Sequence, residues 1–140
     1  MRVSRVLMAA GLALLVAITM SVAPSAQAKT DEDYDKLMKG VGAANGAMRK
    51  ATEPDAIAAE ARKLQALFKD VSAFWTARNN QEAADWAMSA MTHAAEIEKA
   101  AAAKDTAGIA AHQKELGGVC QTCHAKNREK TETGFAIKKA

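Results

Sequence analysis

Residues 54–77, PDAIAAEARKLQALFKDVSAFWTA, bring Ile57, Ala61, Leu64, Phe68, Val71 and Trp75 round at intervals of three or four, with Glu60, Lys63 and Lys69 on the other side. That interval is the period of an amphipathic α-helix; a half-buried strand would alternate every second residue. Pro54 is tolerated only in a first turn, where its missing N–H has no partner to lose, and Thr52 or Asp55 is able to cap the start.

Outward from this helix the composition stays rich in Ala, Lys, Glu, Gln and Leu and poor in β-branched residues, so helix is favoured almost throughout. The breaks are Thr52-Glu53-Pro54-Asp55, Arg78-Asn79-Asn80-Gln81 and Lys104-Asp105-Thr106. They predict a first helix over about 31–51, with Tyr34, Leu37, Met38, Val41 and Met48 on one face. A third is predicted over about 81–103, with Ala83, Trp86, Ala90, Ala94 and Ile97 inward. The fourth, over about 106–130, turns Ile109, Leu116, Cys120 and Cys123 inward. Four helices of similar length joined by short links make sequential neighbours antiparallel, so the expected fold is all-α, an up-down-up-down four-helix bundle. An open helical array is the alternative. Gly40, Gly42 and Gly46 weaken the first helix locally, and their missing side chains would let a bulky flat group approach the backbone.

The N-terminal stretch has a different character. Arg2 and Arg5 precede an uncharged apolar run from Val6 to Val22, followed by Pro24 and the small-residue pattern Ala26-Gln27-Ala28. This predicts a signal peptide over 1–28, cleaved before Lys29, and export to the periplasm; an uncleaved anchor would want a run of about 20 residues. The remaining 29–140 suits one domain. The leader holds two of the 19 basic residues and none of the 16 acidic ones, so without it the formal charge falls from +3 to +1. Charges of both signs alternate along the rest, with no basic stripe interleaved by aromatics, so nucleic acid is not expected as a partner.

The chemistry is concentrated in Cys120-Gln121-Thr122-Cys123-His124, the C-x-x-C-H pattern of covalent haem attachment. On a helix, positions i and i+3 share a face and i+4 lies beside them, so two thiols can reach two vinyl groups while the imidazole turns to the iron. The expected cofactor is therefore one haem c, held by Cys120 and Cys123, with His124 as proximal iron ligand. Three rivals fare worse. A thioredoxin-like dithiol needs a βαβ context that is missing here. A zinc site joining the cysteines to His93 or His112 lacks a second ligand pair at finger-like spacing. A disulfide would close too short a loop to stabilise much and would leave His124 unexplained.

With this motif on its last helix, the chain resembles the cytochrome c′ family, whose members are secreted four-helix bundles with C-x-x-C-H near the chain's end. The resemblance runs over nearly all of 29–130. It also rests on Lys36-Leu37-Met38-Lys39 early in the first helix, on Trp86 early in the third, and on Arg128 one turn after His124. Two departures stand out: Asn127 occupies a position where the family often has an aromatic residue, and the segment 131–140 is longer than usual. The resemblance also implies pairing of two copies through the first two helices.

The iron's far side decides the function. In an antiparallel bundle the start of the first helix lies level with the end of the fourth, and His124 sits about 9 Å from that end at ~1.5 Å per residue, the height of residues near 37 or 38. Height, facing and resemblance together make Met38 the candidate distal ligand, whereas Met48, ~15 Å further along by the same rise, reads as core. Val41, Phe68, Val71, Trp75 and Trp86 are expected around the ring, with Arg128 a further candidate contact. His93 and His112 fall about three turns from His124, on the flanks of their helices, and read as surface or half-buried. A His/Met iron in a rigid bundle implies a one-electron carrier serving periplasmic redox proteins and not an enzyme. The alternative is a five-coordinate haem protein that binds a small gas such as nitric oxide. A peroxidase would need a distal acid or base, and no His, Glu or Asp is expected on an inward face at that height.

Overall fold

The computed structural model describes residues 30–139; the leader and its cleavage site lie outside them. Four helices, α1 (Asp31–Lys50), α2 (Pro54–Ala77), α3 (Gln81–Ala102) and α4 (Thr106–Asn127), are followed by two short strands, β1 (Arg128–Lys130) and β2 (Phe135–Ile137). Among the described residues no helix is long and apolar enough to cross a membrane.

Three of the helix starts are fixed by short polar side chains. The Thr30 hydroxyl accepts from the Asp33 N–H at 3.1 Å while the Thr30 N–H donates to Asp33 Oδ2 at 3.2 Å, a reciprocal cap that satisfies two otherwise orphaned donors. Asn80 Oδ1 accepts from the Ala83 N–H at 3.1 Å, and Asp105 Oδ1 from the Gly108 N–H at 3.0 Å. α2 differs from expectation: Glu53 is its N-cap, no side chain caps it, and Pro54 occupies the first turn. The α2–α3 and α3–α4 links turn through Asn79 and Lys104 at φ 58° and 56°. Asn tolerates this left-handed conformation better than Lys does.

The helices form a four-helix bundle in which α1 packs on α2, α2 most extensively on α3, and α3 on α4. Residue pairs fix the directions. Asp31 with Arg78 and Gly40 with Leu67 run α1 against α2; Glu82 with Lys126 and His93 with His112 run α3 against α4. α3 turns Ala83, Ala84, Ala87, Ala90, Ala94 and Ala101 inward with Ile97, and these small side chains leave room for the large ones of α2, among them Leu64, Phe68 and Phe74. The α1–α4 pair is not closely packed. Of the three glycines in α1, only Gly40 has a close neighbour, Leu67 on α2, and eases the packing of that pair; Gly42 and Gly46 face open space.

α4 stops at Asn127, three residues short of the expected end, and the chain turns back as an antiparallel hairpin with Arg128 opposite Ile137 and Lys130 opposite Phe135. Residues 131–134 make the turn, in which the Thr131 N–H donates to the Gly134 carbonyl at 2.9 Å and Gly134 sits at φ 155°, which a side chain would resist. Ile137 packs against the core, the Lys138 N–H donates to the Asn127 carbonyl at 2.9 Å, and Lys138 Nζ donates to the Ala125 carbonyl at 2.8 Å. The segment beyond residue 130 thus satisfies the end of α4, and β2 reaches across to α1.

Candidate functional site

Burial is uneven along the two helices that stay apart. α4 buries Ile109 and Leu116 but nothing beyond them, and α1 buries nothing before Val41. The under-buried end of each faces the same cleft, about 360 Å³ including its open mouth. α1 lines it with Tyr34, Met38 and Val41 and α2 with Phe68 and Val71. α3 adds Trp86, Ala87 and Ala90, and α4 adds Val119, Cys120, Cys123 and His124. The wall is almost wholly apolar.

Eight of the ten candidate haem residues therefore come together: Met38, Val41, Phe68, Val71, Trp86, Cys120, Cys123 and His124. Trp75 and Arg128 do not line the cleft. Trp75 is buried one layer behind it, where its Nε1–H donates to the Tyr34 hydroxyl at 3.3 Å and its ring meets Phe74 edge-on at 5.3 Å. Arg128 is exposed and lies over the Phe135 ring, 4.0 Å from its centroid, because β1 carries it off the helix surface. Its charge nevertheless reaches His124 and Tyr34.

Both cysteines are free thiols, and burial pushes each above the usual thiol range. For Cys123 this is partly offset by Asn127, whose Nδ2 donates to the Cys123 carbonyl at 3.1 Å and lies 3.8 Å from its sulfur. Asn127 Oδ1 accepts in turn from Asn80 Nδ2 at 3.0 Å, tying the end of α4 to the cap of α3. Asn127 thus anchors the helix that carries the motif. Burial, helped by the charge of Arg128, holds the His124 imidazole below its ordinary pKa, so near neutral pH the ring is uncharged and keeps a lone pair for a metal. Lys126, beside the motif, is bound to Glu82 at 2.7 Å and set 5.3 Å over the Trp86 ring.

Tyr34 is the cleft residue that sequence reasoning placed on the right face but did not assign to the site; its spacing of four from Met38 was the available signal. It stacks on Phe74 at 4.5 Å, and burial pushes its hydroxyl up to about 12, partly offset by the bond from Trp75. Its folded-state pKa lies above the unfolded value, so its contribution to stability is full below pH 10 and is lost as pH rises toward 12. The chain has one tyrosine, so an ultraviolet difference titration should show one phenolate forming near pH 12. A midpoint near the ordinary 10 would place the ring in solvent.

Among the described residues no group of three or more His, Cys, Asp and Glu side chains converges as a metal site. No family model, no curated protein and no solved structure matches the chain. Two thiols, one neutral imidazole and one thioether on an otherwise apolar cleft are residue types that fit a covalently held haem.

Proposed function

We propose that this chain is an exported haem c protein that carries single electrons in the periplasm. One observation carries the proposal: the under-buried ends of α1 and α4 share one apolar cleft in which Met38, Cys120, Cys123 and His124 meet. An incompletely buried apolar face inside a helical bundle needs something to cover it. A macrocycle attached to α4 would do so without displacing the well-packed α2–α3 half.

Cys120 and Cys123 would each add S–H across a vinyl group, which needs no oxidant and releases nothing. His124 would hold the iron from one side as the uncharged imidazole, and Met38 from the other. Haem supplies the one-electron chemistry. Phe68, Val71, Trp86, Ala87 and Ala90 exclude water and lower the local dielectric. Tyr34, held neutral and bonded to Trp75, offers no base beside the iron, which favours a carrier over an enzyme of the peroxidase kind. Other periplasmic redox proteins are the expected donors and acceptors, and residues 1–28 would direct export.

The test is protein purified from the periplasm of a host that matures c-type haem. Haem should stay with the polypeptide through acid-acetone extraction, and both oxidation states should give low-spin spectra. Haem leaving quantitatively would remove the basis of the reading.

A further inference from the structure

Away from the cleft, two other ligand-type side chains meet. His93 on α3 and His112 on α4 bring their Nδ1 atoms to 3.3 Å, with ring centroids 5.5 Å apart and planes 39° to one another. Both rings are half-buried, and the contact joins two antiparallel helices, so bundle packing fixes it.

A separation of 3.3 Å suits a hydrogen bond between two neutral imidazoles. It is also the bite of two ligands on one tetrahedral ion, since Zn–N bonds of about 2.0–2.1 Å at a tetrahedral angle hold their nitrogens about 3.3–3.4 Å apart. The Glu96 carboxylate lies one turn along α3 from His93 and within electrostatic reach of His112. Glu96 itself is held by Lys99 at 2.9 and 3.1 Å and does not complete a triad.

We propose that His93 and His112 form a second metal site, on the α3–α4 face, which takes one borderline divalent cation such as Zn²⁺ through both Nδ1 atoms, with solvent filling the remaining positions. One ring of the hydrogen-bonded pair carries its proton on Nδ1, and binding moves that proton to Nε2. The ion clamps α3 to α4 by ligands from both, so it favours the folded bundle. The site is independent of the haem reading.

The experiment uses the untagged full-length protein as purified, whatever its haem content, freed of adventitious metal by a chelator and titrated with Zn²⁺ against a chromophoric competitor. One Zn²⁺ per chain is expected, weakened at least ~10-fold by His93→Ala and by His112→Ala, each checked for helix content by circular dichroism. X-ray absorption at the zinc edge on the unsubstituted protein should report nitrogen and oxygen neighbours without sulfur, a readout that does not depend on either variant folding. The proposal is overturned if no Zn²⁺ binds, leaving a hydrogen bond only, or if both variants bind as tightly as the parent. Sulfur in the coordination shell would overturn it equally, because the ion would then lie at Cys120 and Cys123.

Discussion

Replacing Met38 with Ala should leave the bundle folded and the haem attached, yet convert a low-spin spectrum into a high-spin one. Met38 is half-buried at the cleft, so its truncation removes little core, and the proposed thioether links through Cys120 and Cys123 would not depend on it. What it removes is the one soft ligand on the cleft wall other than the two thiols. The vacated position should bind carbon monoxide or nitric oxide readily, and the reduction potential should fall, since methionine ligation raises it. Met48→Ala is the matched control, a buried methionine on the same helix ~15 Å away by the helix rise. Deleting it should cost about 2–5 kcal/mol, read as a lower denaturation midpoint, with the haem spectrum unchanged. If the parent protein is already high-spin and Met38→Ala alters nothing, the chain is a five-coordinate gas binder and not an electron carrier.

The second large effect is expected at the attachment points. Cys120→Ser and Cys123→Ser should each leave a single thioether link and sharply reduce the yield of mature protein, and the double variant should release all of its haem into acid acetone. A cofactor that covers the under-buried ends of α1 and α4 binds only the native arrangement, so losing it also lowers stability. Thermal unfolding of the double variant should start earlier and become less cooperative. Serine preserves size and polarity closely enough for the difference to lie in the covalent bond. A double variant that kept its haem through extraction would show that the thiols are not the attachment points.

Much of this molecule was legible along the chain because its signals are local. The stripe from Ile57 to Trp75 and the three short links each act within a few residues, and they set four helices whose ends fall within a residue or two of expectation, α4 apart. The Cys120, Cys123 and His124 spacing is likewise a property of one helix, and it is the ground on which haem attachment is proposed. The end of α4 was misread because helix propensity competes there with a hairpin whose support comes from elsewhere, through Ile137 on the core and Lys138 on the last carbonyls.

Only the tertiary structure decided which residues share the site. Trp75 and Trp86 are both aromatic and both on inward-reading faces, yet Trp86 lines the cleft while Trp75 turns to Tyr34 and Phe74, a choice made by how α1 leans on α2. Tyr34, Asn127 and the His93–His112 pair gain their roles from neighbours 41 to 47 residues away, or 19 for the histidines. Sequence periodicity fixes which way a side chain faces on its own helix; which side chain meets it depends on the rotation and offset of the neighbouring helix. Those are set by how the volumes of α2 and α3 interlock, and no single stretch of this chain encodes that interlocking.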